Sequence, residues 1–350
     1  MRIWKWCKRI GIGLASLVAL LLVAGASYQF IKTKLDEKAY PPQGRTVDVG
    51  GYRLHIHSMG SGSPTVVLDA GLGNIGLDWG LVQPEIAKFA RVVSYDRAGY
   101  GWSEKREGAR TSFRIVQELH TLLHNAGIPG PYILVGHSFG GANVQLFAAT
   151  YPDEVMGIVL VDGCHEEQEK RLPPSPIGSG GFGNAIVARL STFFGVSRVL
   201  MNMQGSAIAP PMPQHLWDAH LALCLTTKHW NSMLDESQGL NESLAQLAEA
   251  SRPILAKTPC TVITAGRMPD LAAFGLNEQL SAYLKEMFVV WGELQKELIA
   301  KFENGRQIIA ENSDHMIPWH QPEVIVRAVQ ELINQESHQK GAENGLQSHS

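Results

Sequence analysis

The fold is decided by residues 132–148, which read YILVGHSFGGANVQLFA. Four apolar residues predict a buried strand at 132–135, and the run after the turn predicts a helix. Ser138 lies in that turn between Gly136 and Gly140, where a sharp bend favours glycine because it has no Cβ to clash with neighbouring backbone. The stretch therefore predicts strand, turn and helix, with Ser138 at the carboxyl end of the strand.

Short β-rich runs alternate with helical patterns along the rest of the chain. The eight predicted strands are 46–49, 53–58, 65–68, 91–95, 132–135, 156–161, 260–264 and 306–310. The later ones are apolar at consecutive positions, which is typical of parallel strands covered by helices on both faces. The first two are joined at Gly50-Gly51 and predict an antiparallel hairpin. The predicted fold class is therefore α/β, with an eight-stranded, mostly parallel, doubly wound sheet.

The interval between the sixth and seventh strands is much longer than one crossover helix needs. Its helical patterns fall near 184–203, 213–234 and 240–257. We therefore predict a helical cap, inserted at about 163–258 into a domain that spans 45–335. Residues 336–350 have almost no apolar side chains, so a disordered tail is predicted there.

The N-terminal segment 1–9 is basic and precedes an uncharged apolar run at 10–31. As a helix this run extends about 33 Å, close to the roughly 30 Å hydrocarbon thickness of a bilayer. The basic residues favour a cytoplasmic N-terminus, so a membrane-anchored domain outside the cytoplasm is expected after the linker 32–44. The small residues Ala24-Gly25-Ala26 also fit a signal-peptidase site, so cleavage and secretion remain the alternative.

The composition argues against several other classes of protein. A formal net charge of -3 offers no basic field for nucleic acid, so no nucleic-acid partner is expected. The four cysteines are widely scattered and have no spacing typical of metal ligands. We therefore expect no metal, no cofactor and no disulfide framework.

The motif Gly136-His137-Ser138-Phe139-Gly140, in its setting of strand, turn and helix, resembles the nucleophile turn of the α/β-hydrolase superfamily. The run 94–103, which reads SYDRAGYGWS, and Tyr151-Pro152-Asp153 resemble further structural signatures of that family. The resemblance covers about 45–335. It implies a serine nucleophile at Ser138 and a scaffolding role for the charged residues of 94–103.

The same resemblance implies a general base and an acid. His315 follows the last predicted strand, where the family places its catalytic histidine, and a neutral imidazole can take the serine proton. Asp162 ends the sixth strand, and Asp270 follows the seventh, which is the commoner location of the acid in the family. A strand end fixes position rigidly and favours Asp162, but Asp270 remains open.

An oxyanion hole in this family pairs the amide after the nucleophile with an amide from the loop after the third strand. Phe139 supplies the first. The third-strand loop has Ala70 where the family commonly has histidine, and the register assigns the second amide to Leu72.

A serine nucleophile predicts acyl transfer to water through an acyl-enzyme. The expected activity is that of a serine hydrolase, carboxylesterase or lipase-like, on a lipophilic small-molecule acyl substrate. Two alternatives stay open. One is an aminopeptidase-type amide hydrolase, with a substrate ammonium held by Glu166, Glu167 or Glu169. The other is a ligand receptor that retains the triad.

Overall fold

The strands form where the sequence is apolar and β-branched. The computed structural model describes residues 2–174, 185–204, 211–250, 252–268 and 278–347. Its strands are β1 (Arg45–Asp48), β2 (Arg53–Met59), β3 (Thr65–Asp69), β4 (Arg91–Tyr95), β5 (Tyr132–His137), β6 (Val155–Val161), β7 (Cys260–Ala265) and β8 (Gly305–Ala310).

These strands form one sheet in the order β1-β2-β4-β3-β5-β6-β7-β8. The pairs β1–β2 and β2–β4 are antiparallel, and all pairings from β4 across to β8 are parallel. The predicted fold class, with its antiparallel start, is confirmed. Parallel strands carry their carboxyl ends to one edge, so the loops after β3, β5, β6, β7 and β8 meet there.

Helices connect the strands and cover both faces of the sheet. The described residues form α1 (Arg2–Ala39), α2 (Gln83–Ile86), α3 (Ser112–Asn125), α4 (Phe139–Thr150), α5 (Gln168–Arg171), α6 (Ala185–Phe193), α7 (Val196–Gln204), α8 (Gln214–Cys224), α9 (Thr227–Gln238), α10 (Leu240–Glu249), α11 (Arg252–Lys257), α12 (Glu278–Ile299), α13 (Ile317–His320) and α14 (Pro322–Gln347).

The two faces of the sheet carry separate apolar cores. Leu134 packs with residues of α3 and α4 on one face, and its neighbour Val135 packs with residues of α2 and α14 on the other. Successive side chains of a strand point to opposite faces, so a strand covered on both sides must be apolar throughout. This explains why β5 is a continuous apolar run rather than an alternating one.

The helices α5 to α11 lie between β6 and β7, within the predicted cap. They pack over the carboxyl edge of the sheet. The Ser243 hydroxyl of α10 accepts the N–H of Ser112 at 2.9 Å, and the ion pair between Glu236 of α9 and Arg97 is described below. The cap is therefore fixed to the core by buried polar contacts at the carboxyl edge of the sheet.

Helix α1 contains the apolar run and extends beyond it. Among the described residues it is the one helix long and apolar enough to cross a membrane. Most of its large apolar side chains are exposed, and its second half contacts α6 and α8. The sequence assigns 32–39 to a linker, but these residues continue the helix because Lys, Leu, Glu and Ala are good helix formers.

The C-terminal helix α14 also runs further than the sequence predicts. Its first half packs on the sheet through Val324, Ile325 and Val329. The backbone stays helical to Gln347, where a disordered tail was predicted from 336. Six of the twelve residues 336–347 are Glu, Gln, Lys or Ala, whose high helix propensity is compatible with a continued helix.

Candidate active site

Ser138 occupies a strained turn between β5 and α4. Its backbone has φ 52° and ψ −118°, a conformation that side-chain-bearing residues rarely adopt. The turn is tight on both sides: a Cβ on Gly136 would lie 2.4 Å from the carbonyl oxygen of Gly140, and a Cβ on Gly140 would lie 2.3 Å from that of Asp69. Both glycines are therefore required by close backbone approach.

Two backbone hydrogen bonds hold this turn against β6 and the loop that follows it. The N–H of Ser138 donates to the carbonyl of Val161 at 3.0 Å, and the N–H of Cys164 donates to the carbonyl of Ser138 at 2.9 Å. Helix α4 begins at the next residue, so its free N–H groups and the positive end of its dipole lie beside the serine. Ser138 is only partly buried and stays accessible from the carboxyl edge.

His315 and Asp162 form a hydrogen-bonded pair at the same edge. The Nδ1 atom of His315 lies 2.7 Å from Oδ2 of Asp162. The carboxylate is buried, whereas the imidazole is 42% exposed. A carboxylate on Nδ1 fixes the tautomer in which Nε2 is the proton acceptor.

Asp162 is held in place by its own backbone and by β7. It has φ 46°, an unusual value that aspartate tolerates better than most residues. Its N–H donates to the carbonyl of Ile263 at 2.7 Å, and its Oδ1 accepts the N–H of Ala265 at 3.0 Å. Each carboxylate oxygen therefore has one donor. The competing candidate, Asp270, lies outside the described residues.

The described residues show no hydrogen bond between the Ser138 hydroxyl and the His315 ring. Such bonds are often long before substrate binds and tighten in the complex. The structure does place both residues at one edge of the sheet, linked by His137, which precedes the serine and contacts the histidine loop.

His137 supports that loop without adding charge. Its Nε2 lies 2.9 Å from the carbonyl oxygen of His315, and the two ring centroids are 4.8 Å apart. Burial lowers the pKa of His137 to about 3, and the neighbouring His315 ring adds to the effect. The ring is thus neutral at pH 7 and donates Nε2–H to the carbonyl, which fixes the His315 backbone.

The loop after β3 lies directly against the serine. A Cβ on Gly71 would lie 3.2 Å from Cβ of Ser138, so the loop passes at van der Waals distance. The predicted oxyanion donors are the N–H groups of Leu72 in this loop and Phe139 at the start of α4. Among the hydrogen bonds of the described residues, neither N–H has an acceptor. Both amides are therefore free to bind an oxyanion.

Arg97 is buried and connects the loop after β3 to the cap. Its guanidinium donates to Oδ1 of Asp69 at 2.8 Å, to the carbonyl of Ala70 at 2.6 Å and to that of Gly71 at 2.7 Å. Its Nε donates to Oε1 of Glu236 in α9 at 3.0 Å. Burial alone would lower the pKa of Arg97, but Glu236 and Asp69 raise it well above its usual value.

Glu236 has two further partners in the core domain. Arg110 donates to its Oε1 at 2.9 Å, and the Tyr100 hydroxyl donates to its Oε2 at 2.8 Å. Burial opposes ionisation, but Arg97 and Arg110 outweigh it and lower the pKa of Glu236. The carboxylate is therefore charged, and this one buried network fixes both the cap and the loop that carries Leu72.

Apolar side chains surround the site. Leu72 packs against two clusters, one with Phe139 and Leu244 of α10 and one with Met233 of α9. The ring of Trp291 in α12 is nearly perpendicular to that of His315, with ring centroids 5.9 Å apart. Hydrophobic residues of the cap and of α12 thus lie beside the reactive groups.

Sequence reasoning singled out Ser138 and His315 but missed their supports. His137 is the variable position of the G-x-S-x-G motif, so the motif itself gave no signal for it. The charged residues of 94–103 were assigned to scaffolding, and Arg97 does have that structural role. Its partner Glu236 lies 139 residues further along the chain, and no local pattern connects the two.

Parts of the chain are similar to known proteins. A family model described as alpha/beta hydrolase fold matches residues 64–191. The uncharacterized protein YbdG of Bacillus subtilis is 29% identical over 162 residues, which are 46% of this chain and 50% of YbdG. The 2-hydroxy-6-oxo-2,4-heptadienoate hydrolase of Pseudomonas putida is 32% identical over 125 residues, 34% of this chain and 44% of that enzyme.

A solved structure of a thermophilic esterase from Thermogutta terrifontis is similar over most of the fold. Its TM-score is 0.60 at 19% identity, and the match covers 84% of this chain and 98% of the esterase. The chain spans about half the length of the curated relatives it matches. The family model and the two relatives each match less than half of the chain; together with the fold, they support membership of the α/β-hydrolase superfamily.

Proposed function

We propose that this protein is a serine hydrolase that cleaves a carboxylic ester through an acyl-enzyme. The observation that carries the proposal is the bond of 2.7 Å between His315 Nδ1 and Asp162 Oδ2, at the sheet edge where Ser138 occupies its strained turn. Nucleophile, base and orienting acid in this arrangement are the elements of a catalytic triad.

In the first half of the reaction, Oγ of Ser138 attacks the ester carbonyl and Nε2 of His315 takes its proton. The carbonyl π bond opens to an oxyanion, which the N–H groups of Leu72 and Phe139 bind. Collapse expels the alkoxide, which leaves as the alcohol with the proton from His315. In the second half, Nε2 of His315 takes a proton from water as the water oxygen attacks the acyl carbon. The second tetrahedral intermediate then breaks its bond to Oγ, the acid is released, and His315 returns the proton to Oγ of Ser138.

We assign Asp162 as the acid of the triad. Its Oδ1 is occupied by the Ala265 amide, so its Oδ2 has one fixed direction toward His315. That carboxylate keeps the proton on Nδ1 and stabilises the imidazolium that forms when Nε2 is protonated. Asp270 remains the competing residue for the mutational test below.

The surroundings favour a lipophilic, uncharged acyl group. Leu72, Trp291 and Leu244 are apolar. Arg97, which contacts the loop after β3, forms ion pairs with Asp69 and Glu236. An apolar site with paired charges binds hydrocarbon better than an anionic substrate. Together with helix α1, this supports a lipase-like or carboxylesterase substrate.

A carbon–carbon bond hydrolase is the second candidate, because several similar proteins bear that kind of name. They include the Pseudomonas putida heptadienoate hydrolase and a 2-hydroxymuconate semialdehyde hydrolase of Pseudomonas. Substrates of that type carry a carboxylate, which needs a free cation in the site. The pairing of Arg97 with Asp69 and Glu236 disfavours this candidate.

The aminopeptidase alternative depends on acidic residues of the cap. Glu166 is engaged by Lys301, and burial, which raises its pKa, is outweighed by that lysine, which lowers it. An already paired carboxylate binds a substrate ammonium weakly. A receptor that retains the triad is distinguished by turnover, since it would form a covalent adduct and release product only once.

We also propose that α1 anchors the protein in a membrane, with the hydrolase domain outside the cytoplasm. The support is its exposed apolar surface and the basic residues before it. A cleaved signal peptide is the competing interpretation, since such segments have the same composition.

A substrate panel tests the proposed activity. Steady-state rates are compared for p-nitrophenyl esters of 2 to 16 carbons, aminoacyl p-nitroanilides and a 2-hydroxy-6-oxo-dienoate, with Ser138→Ala as blank. We expect kcat/KM to be highest for an ester and to rise with chain length. Preference for the dienoate or an anilide would replace the esterase proposal, and a single turnover on every compound would favour the receptor.

A further inference from the structure

Helices α6 and α7 of the cap expose a row of apolar side chains. Seven of them are between 44% and 78% exposed: Val187, Leu190, Phe193, Val196, Val199, Leu200 and Met203. A contiguous exposed apolar surface of this kind is unusual for a protein surrounded by water and marks an interaction site. We call it the apolar cap face.

The apolar cap face carries no free charge. Residues 187–203 are all described and contain two charged side chains, Arg189 and Arg198. Arg189 pairs with Asp235 of α9, and Arg198 is buried, where it contacts Asp36 of α1. Both guanidinium groups are thus paired with a carboxylate, and the Arg189 side chain is 42% exposed.

The face lies beside the apolar run of α1. A Cβ on Gly25 would lie 2.5 Å from the carbonyl oxygen of Phe194, and a Cβ on Gly195 would lie 3.0 Å from the Tyr28 ring. The junction of α6 and α7 therefore packs backbone to backbone on α1. Farther along, Arg198 donates to the side-chain oxygen of Gln29 at 3.2 Å.

This contact fixes the depth of the cap helices relative to a bilayer. With the hydrocarbon layer beginning at Ile10, a helix rise of 1.5 Å per residue reaches its far boundary about 20 residues later, near Phe30. Gly25 then lies about 8 Å inside that boundary. Amphipathic helices that lie in a membrane interface are buried to a depth of roughly 5–10 Å.

We propose that the apolar cap face docks onto the outer leaflet of the membrane that α1 spans. The occupant is lipid rather than protein, because the face is continuous with the lipid-exposed surface of α1 and has no free charge to select a protein partner. Docking would hold the cap at the bilayer surface and let a lipophilic substrate pass from lipid to the site. The inference rests on the proposed membrane insertion of α1.

The test measures the depth of single labels in the full chain. With the exposed Cys7 replaced by serine, the variants Leu200→Cys, Val187→Cys and Ser61→Cys are labelled with an environment-sensitive NBD dye. Ser61 is exposed and lies before β3, at the sheet edge opposite the cap, so it is the matched control. Leu14→Cys reports on α1 itself. Each protein is reconstituted into phosphatidylcholine vesicles with or without doxyl-labelled lipid.

We expect doxyl lipid to quench the labels at Leu14, Leu200 and Val187 at least about twofold, and to leave the label at Ser61 unchanged. Quenching at Leu14 with none at Leu200 and Val187 would overturn the docking face alone. Absence of quenching at all four sites would overturn the anchor as well. A blue-shifted but unquenched label at Leu200, in a protein that is dimeric in detergent, would assign the face to a second copy instead.

A second pair of variants links the face to substrate entry. Leu190→Asp with Leu200→Asp adds charge to the apolar cap face without touching the catalytic groups. We expect hydrolysis of an ester dissolved in vesicles to fall at least about fivefold, while hydrolysis of a short water-soluble ester stays unchanged. Unchanged rates on both substrates would contradict the proposed entry from lipid. Fluorophosphonate labelling of the same variants separates this outcome from failure of the hydrolase proposal.

Discussion

Replacing Asp162 with asparagine is expected to invert the tautomer of His315. The Ala265 N–H lies 3.0 Å from Oδ1 and keeps an acceptor at that position, so the amide oxygen of asparagine is retained there. The amide nitrogen then takes the place of Oδ2, 2.7 Å from His315 Nδ1, and presents a donor. The ring must respond by placing its proton on Nε2, because Nδ1 now has to accept.

A proton on Nε2 removes the base from the reaction. The equivalent change in a serine protease lowers kcat by about 10⁴, or about 5 kcal/mol of transition-state stabilisation at 1.36 kcal/mol per tenfold. We therefore expect Asp162→Asn to lose at least about a hundredfold in kcat with little change in KM. Because the asparagine keeps the Ala265 bond, the fold should be retained.

Asp270→Asn is the matched control and should stay within about tenfold of the parent protein. The assay is kcat on the best ester of the panel, with circular dichroism spectra to show that both variants are folded. The reverse ranking would move the acid to Asp270 and refute the reasoning from the Ala265 bond. Equally small losses would mean that neither carboxylate orients His315.

Three further predictions follow from the buried charges and from α1. Glu236→Gln removes one of the two carboxylates that pair with the Arg97 guanidinium. The free energy of unfolding, measured by chemical denaturation, should fall by about 3–5 kcal/mol. A loss below about 1 kcal/mol would contradict the stabilising role of this ion-pair network. Burial lowers the pKa values of His137 and His229 to about 3, whereas the value for an unfolded chain is 6.5. Between about pH 3 and pH 6.5 the unfolded chain therefore binds more protons than the folded chain. The contribution of these histidines to the free energy of unfolding should be complete above about pH 6.5. It should fall as the pH decreases toward 3, by up to about 1.4 kcal/mol per pH unit for each histidine. His229→Gln should make this decline less steep in thermal unfolding. A reporter enzyme fused after Lys34 should be active only outside the cytoplasm; activity inside would overturn the topology, and a soluble mature protein beginning at Ser27 would favour the signal peptide.

The sheet was predictable from sequence because its strands carry their own signal. Consecutive apolar residues such as those at 132–135 occur where both faces of a strand are covered, and the hairpin at Gly50-Gly51 marks the antiparallel start. The neighbourhood of Ser138 was predictable for a similar reason, since the turn requires glycine on both sides.

The remaining features depend on contacts between distant parts of the chain. Asp162 and Asp270 both follow parallel strands at one sheet edge, so position in the sequence could not separate them. The bond from Ala265 to Asp162 and the pairing of Arg97 with Glu236 are tertiary contacts without a local pattern. The same holds for the packing of α1 on α6, which involves small residues whose spacing is equally typical of a signal-peptidase site.

The central claim is that Ser138 is the nucleophile, and covalent labelling tests it most directly. The full chain in detergent is incubated with a fluorophosphonate probe, and the modified peptide is identified by mass spectrometry. We expect one label per chain, on Ser138, and no label on folded Ser138→Ala, whose kcat should fall by about 10⁴ to 10⁶. Labelling of the folded Ser138→Ala protein, or a label on another serine of the parent chain, would contradict the account.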